Sequence, residues 1–202
     1  HDPSLKPVPF DPVAAGALLT AAGWTPGPDG IRVKNGKRLS LQIAYGQGSP
    51  TSANIVVQTQ QMLKHVGVEM TPKSYAFANL FAAAQDGGIF NAGNFDLALY
   101  SWISGGDPDN SSAWLSTQIP PGGNNVSRYR SPEMDALQGK ALSTFDRRAR
   151  ADAYAKIEAL LLRDAPGAFL YNQGERHALT PALKGFTPNG INAGWNAYQW
   201  SI

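Results

Sequence analysis

The chain of 202 residues has no cysteine, only three histidines and almost no excess of either charge, with 17 Lys+Arg against 15 Asp+Glu. The missing cysteines exclude disulfides, thiolate-held zinc and thiol catalysis, and leave the compartment open. His1, His65 and His177 are scattered, and no pair has metal-ligand spacing. A formal net charge of +2 gives no electrostatic footprint for nucleic acid. No apolar run approaches the ~18 residues of a membrane-spanning helix. The opening HDPSLKPVPFDP is not a signal peptide, and so Pro-rich an entry reads as the middle of a longer chain. Charged residues make up 16% and hydrophobic residues 43%, which places the chain among globular rather than disordered sequences. A compact chain of this length buries roughly 70% of its unfolded surface, so no covalent staple is needed.

Catalytic patterns are missing too. There is no G-x-S-x-G elbow. Asp107, Asp109 and Ser111 alternate like the start of a calcium loop, but Ser112 and Gln118 stand where that loop needs glycine and glutamate. Asp107 and Asp109 are also close neighbours on one loop, a poor arrangement for an acid and a base acting on one substrate. The two aspartates read as turn formers. No enzyme, cofactor or metal site is expected.

What is present is an alternation of strand and helix patterns. Asp11-Pro12 starts a helix with Ala15, Leu18, Leu19 and Ala22 at helical spacing, stopped by Gly23. Asn35-Gly36 between two alternating runs is a hairpin signal, since a type I′ turn needs positive φ at both positions. Leu39, Leu41, Ile43 and Tyr45 share one face of the strand that follows. Ser49 with Pro50, or Thr51, caps a second helix with Ile55, Thr59, Met62, Leu63 and Val66 as its stripe. Gly67 closes it, and 68–75 reads as a strand. Strand, helix and strand in this order make a βαβ unit with parallel strands. A short helix at 77–86 and a near-continuous apolar run at 95–101 repeat the pattern, the run suiting a strand buried on both faces. Beyond it lie one helical turn at Trp114, a turn at 120–125, and two helices. The first is capped by Ser131 and carries Met134, Leu137, Ala141 and Leu142. The second spans 147–163 with Ala153, Ile157, Leu160 and Leu161 inward. Residues 169–172 read as a short apolar strand with 176–180 as a candidate return, limited by Thr180-Pro181. The tail at 191–202 carries Trp195, Tyr198 and Trp200, aromatic enough to need something to pack on.

In an open α/β sheet ligands sit outside the carboxyl ends of the strands. Those ends hold Tyr45, Gly46 and Gln47 after the first parallel strand and Tyr75 after the second. Tyr100, Trp102, Ser104 and Asp107 follow the third, rings and hydroxyls of the kind a small-molecule site uses. For Tyr75, Tyr100 and Trp102 a place in the core is the competing reading. The loop 46–51 offers either backbone N–H groups to an anion or carbonyl oxygen, or a plain helix cap.

The order of these segments resembles the C-terminal lobe of the extracytoplasmic solute-binding proteins of ABC importers, in the dipeptide- and oligopeptide-binding family. The resemblance rests on DPVAAGALLTAAGW at 11–24, DGIRVKNGKRL at 29–39, the strand from Phe95-Asp96 to Trp102 with Asp107-Pro108-Asp109 after it, YRSPEMD at 129–135 and the stretch 147–166 with Tyr154, which match the family's late helix pair, and Phe169-Leu170-Tyr171. It implies an α/β fold: a periplasmic-binding-protein-like type II lobe with a mostly parallel central sheet flanked by helices. It implies that residues 1–202 are a C-terminal ligand-binding lobe lacking its N-terminal partner, with 191–202 crossing back towards that partner. Implied with it are a peptide-like or other small polar ligand, importer membrane subunits as partners, a monomer at full length, and a periplasmic or lipid-anchored place outside the cytoplasm. In peptide-binding members an aspartate three residues after the strand's tryptophan holds the peptide amine. Here that position is Gly105, or Ser104 in a loop one residue shorter, and an arginine of some oligopeptide binders corresponds to Leu99. An uncharged or longer ligand held by rings and hydrogen bonds fits better, with Asp107 as a substitute amine anchor. A protein-interaction domain and an α/β enzyme domain remain the alternative classes.

Overall fold

The computed structural model describes residues 3–103, 105–172 and 174–202. Its first helix, α1 (Pro12–Ala21), starts where the Asp11 carboxylate accepts the Ala14 N–H at 2.9 Å. No residue of α1 is buried, and Leu18, expected inward, faces solvent. The reason lies beneath the helix. The Arg32 guanidinium fills that space, donating to Thr20 Oγ1 at 2.9 Å, Trp24 O at 2.7 Å and Val66 O at 2.7 Å. Arg32 is itself buried and extends from a small antiparallel sheet of β1 (Thr25–Pro26), β2 (Arg32–Lys34) and β3 (Lys37–Arg38). The β2–β3 turn has Asn35 at φ 50° and Gly36 at φ 73°, the two positive angles that Asn-Gly supplies.

The main sheet is wholly parallel, in the order β5 (Glu69–Tyr75), β4 (Ser40–Gly46), β6 (Leu97–Leu99). Helix α2 (Pro50–His65), capped by Ser49 on the Ser52 N–H, connects β4 to β5 and packs through Val56 on Ile43 and Met70. Its stripe centres on Val56, which leaves Met62 exposed against expectation. Gly67 ends the turn at φ 81°, with the Gly30 carbonyl 2.9 Å from where a Cβ would stand. Two short helices, α3 (Phe77–Phe81) and α4 (Ile89–Ala92), cross to β6 and cover the opposite face through Leu80 and Phe90, packed on Ala44. The sheet thus has helices on both faces, and both faces of β4 are buried, at Ile43 and Ala44.

The run at 95–101 differs from its expectation. Only Leu97–Leu99 is a strand; it is half-buried and lies at the sheet edge, and β4 is the central strand. Asp96 explains the short start. Its N–H donates to Gln42 O at 3.0 Å, and its carboxylate accepts the Gln42 N–H at 2.7 Å, where a strand would offer a backbone carbonyl.

The second half of the chain is built on a helix pair. A single turn, α5 (Ser111–Trp114), precedes α6 (Pro132–Leu142), capped by Ser131, and α7 (Arg147–Asp164), capped by Asp146. Met134, Ala141, Ala153, Ile157, Leu160 and Leu161 form their common core with Trp114 and Tyr154. Leu142, expected inward, is exposed, and Gln138 takes the buried position on α6. Residues 169–172, read as a strand, are irregular where described, and Phe169, Leu170 and Tyr171 are exposed. An apolar run needs a ladder partner to become a strand. Among the described residues none pairs with it, and 176–180 is irregular as well. The tail folds on itself instead. Lys184 and Ser201 form one bridge, Phe186 packs on Trp200, and the buried Asn196 amide donates to Gly185 O and Thr187 Oγ1.

Candidate ligand-binding rim

Parallel register decides where the strand ends fall. Gly46 is paired with Tyr75, and Tyr45 with both Ser74 and Leu99, so the carboxyl ends of the three strands finish at one level. The ladder runs one step further, since the Gln47 N–H donates to Tyr75 O at 2.9 Å. Tyr45, Gly46, Gln47, Tyr75 and Tyr100 therefore share one edge of the sheet. They do not share one face. Tyr45 packs with Ile43, Val56 and Met70 on the α2 side, whereas Tyr75 packs with Leu80 and Phe90 on the other. Tyr100 joins Tyr75's side, its ring 5.6 Å from that of Phe90, and burial against this cluster pushes its phenol pKa up. The rim is thus two rings on the Phe90 face, Tyr75 half-buried and Tyr100 more exposed, and one on the α2 face, with Gly46 between them.

The loop after β4 is a helix cap. Ser49 Oγ accepts the Ser52 N–H at 3.2 Å, Ser49 O accepts the Ala53 N–H, and Pro50 has no N–H to offer. Past β6 the chain leaves the sheet. Trp102 is 44% exposed and Ile103 is 92% exposed; Ser104 lies outside the described residues. Asp107 does not face the rim as a free carboxylate. Its oxygens take both terminal nitrogens of Arg150 at 2.8 and 2.9 Å, and that guanidinium holds its carboxyl below the usual aspartate range. Asp107 Oδ1 also accepts the Asp109 N–H, and Asp109 Oδ1 the Ser111 N–H, the turn-forming role expected of both aspartates. Among the described residues no group of three acidic, histidine or cysteine side chains is placed to hold a metal ion.

Two cavities are lined by none of the strand-end residues. One, of about 400 Å³, is lined by Pro108, Asn110, Phe145, Arg147, Arg150 and Tyr154, among others. The other, of about 430 Å³, flanks the ion pairs that Arg38 makes with Asp29 and Glu69. The rim itself is an open edge carrying exposed and half-exposed rings. Two contributors escaped the sequence reading. Phe90, the floor beneath Tyr75 and Tyr100, sits in a four-residue helix too short to show a period. Arg150 left no trace that separates it from Arg147 and Arg148, which share the first turn of α7.

A parallel sheet with helices on both faces and strand ends aligned along an open edge is an open α/β architecture, and similarity to solved structures gives it the type II periplasmic-binding-protein fold. The structure of the oligopeptide-binding protein AppA from Bacillus subtilis in complex with a nonapeptide superposes with a TM-score of 0.84 at 27% identity, covering 100% of this chain and 40% of that one. NikZ from Campylobacter jejuni in complex with Ni(L-His) superposes with a TM-score of 0.77 at 25% identity, covering 96% and 39%. In sequence, AppA of Bacillus subtilis (strain 168) is 30% identical over 187 residues, 91% of this chain and 33% of its own length. Residues 1–122 match the family described as bacterial extracellular solute-binding proteins, family 5 Middle. The chain belongs to the family 5 bacterial extracellular solute-binding proteins. It spans about a third of the length of the curated relatives it matches. Members of this family are binding proteins rather than enzymes.

Proposed function

We propose that residues 1–202 form the C-terminal lobe of a non-enzymatic solute-binding protein that delivers its ligand to the membrane subunits of an ABC importer. In this reading the protein works outside the cytoplasm, in the periplasm or lipid-anchored at the cell surface, and is a monomer at full length. Tyr45, Gly46, Gln47, Tyr75, Tyr100 and Trp102 form one wall of the ligand cleft. The observation that carries this reading is the common level of the three strand ends, with rings at each. The exposed apolar groups beyond α7 support it. Phe169, Leu170, Tyr171, Tyr198 and Ile202 are each exposed, apolar area of the kind a second lobe would cover.

The chemistry of the wall bears on the ligand. Leu99 and Gly105 supply no charge, and Asp107, the candidate amine anchor, is engaged by Arg150. This lobe therefore holds its ligand by ring contacts and backbone hydrogen bonds, which favours a longer peptide or an uncharged polar solute over a dipeptide gripped at its amine. A thermal-shift screen of the full-length protein with a dipeptide, a nonapeptide, an oligosaccharide and Ni(L-His) tests this. A ligand at a hundred times its Kd stabilises by about 2.7 kcal/mol. The nonapeptide or the oligosaccharide is expected to raise the Tm by several degrees and the dipeptide is not. A shift with the dipeptide alone contradicts the ligand class, and no shift with any of the four contradicts the function.

A further inference from the structure

The strap that joins the rim to the helix pair is fastened at its two ends by different devices. None of its described residues from 100 to 107 belongs to a helix or strand. At the near end Tyr100 rests on Phe90. At the far end Asp107 is gripped by Arg150, with Oδ1 2.8 Å from Nη2 and Oδ2 2.9 Å from Nη1. Arg150 is fixed in turn. Its Nε donates to Ala141 O at 3.1 Å, in the last turn of α6, and its guanidinium lies 5.7 Å from the centre of the Tyr154 ring. One side chain thus ties the end of α6, the start of α7 and the strap together. Between the fastenings lie the exposed Trp102 and Ile103, with Gly106 close enough to Ile191 that a Cβ would come within 2.9 Å of its Cδ1.

We propose that Arg150 is a positioning residue for the ligand rim: by clamping Asp107 it holds the strap that presents Trp102. The proposal rests on the reading that the rim faces ligand. The bidentate fork is what the role requires. It fixes both the distance and the plane of the carboxylate, whereas a lysine ammonium, a point charge on a flexible stem, fixes neither.

The test is a double-mutant cycle on nonapeptide affinity in the full-length protein, with Arg150→Met, Trp102→Ala and their combination. Arg150→Met is expected to weaken binding roughly tenfold, within the range of coupled neighbours, and the double variant to bind no worse than Trp102→Ala within about twofold. Arg150→Lys falls between wild type and Arg150→Met. A second measurement needs no ligand. Hydrogen exchange of the Asp109 amide, which Asp107 Oδ1 accepts at 3.0 Å, quickens in Arg150→Met, while that of 153–161 in α7 does not. Additive losses in the cycle, unchanged exchange at Asp109, or α7 exchange rising in step each overturn the proposal. A wild-type protein that ignores the nonapeptide and every other probe of the thermal-shift screen overturns the functional reading itself, and with it this role. Binding with additive losses overturns the clamp alone.

Discussion

Replacing Phe90 with alanine removes the ring on which the Phe90 side of the rim is built. Phe90 is fully buried among Ala44, Leu80 and Val126, with Tyr75, Phe95 and Ala98 packed against them. Its ring centre lies 5.1 Å from that of Phe81 and 5.5 Å from that of Phe95, both edge-on, and 5.6 Å from that of Tyr100. A buried Phe→Ala change costs about 3–5 kcal/mol, cavity included. In a protein domain of roughly 200 residues each kcal/mol moves the Tm by about 2–4 °C, so the expected fall is about 6–20 °C. Phe90→Leu keeps most of the volume and loses the ring pairs, at about 1–2 kcal/mol. The informative comparison is with Leu160→Ala, which opens a cavity in the α6–α7 core at a cost of about 2–5 kcal/mol without touching the rim. Differential scanning calorimetry gives the stabilities, and titration with the nonapeptide gives the affinities. Phe90→Leu is expected to weaken binding although it is the milder of the two in stability, and Leu160→Ala to leave affinity unchanged below its own transition. A fall in Tm under about 2 °C for Phe90→Ala, or equal affinity losses in Phe90→Leu and Leu160→Ala, would mean that Phe90 does not support the rim.

Other expectations follow from the same contacts. Arg32→Met leaves Val66 O, Trp24 O and Thr20 Oγ1 without their donor, and each unsatisfied acceptor costs about 1–3 kcal/mol; chemical denaturation should register a loss of at least about 3 kcal/mol, and one under about 1 kcal/mol would show that water replaces the guanidinium. Gly67→Ala forces a side chain to φ 81° against the Gly30 carbonyl and is expected to cost about 1–3 kcal/mol, with a stability equal to wild type as the contrary result. The carboxyls of Asp29, Glu69, Asp107 and Asp164 are all held below their ordinary values, 3.8 for the aspartates and 4.5 for the glutamate, chiefly by hydrogen bonds to arginine. Depressed folded-state values mean that this stability is full above the ordinary range and drains as pH falls through and below it. Urea midpoints should hold from about pH 7 to 5 and fall below about pH 4, less steeply in high salt, and a flat profile to pH 3 would contradict the assignment.

Local signals carried much of the architecture. Asp11, Ser49 and Ser131 each cap the helix they precede, Asn35-Gly36 makes the turn it specifies, and the inward set of α7 is the one its period marks. Misreadings came where a polar side chain did work that pattern assigns to the backbone or to an apolar group. Asp96 shortened β6 by taking a place in the ladder, and Arg32 supplied the bed of α1 that Leu18 was expected to find. The apolar run at 169–172 had the composition of a strand, but composition does not supply a pairing partner. At the site, strand-end logic placed Tyr45, Gly46, Gln47, Tyr75 and Tyr100 at one level. It counted Asp107 with them, and missed that Arg150, 43 residues away in sequence, takes both of its oxygens.

Where the ligand touches this lobe is read off a crystal structure of the full-length protein with the tightest ligand from the thermal-shift screen. Ligand atoms are expected in van der Waals contact with Tyr75, Tyr100 and Trp102, with a hydrogen bond to backbone at 45–47. A ligand seated instead in the cavity beside Phe145 and Arg147, with the strand ends bare, would contradict this placement.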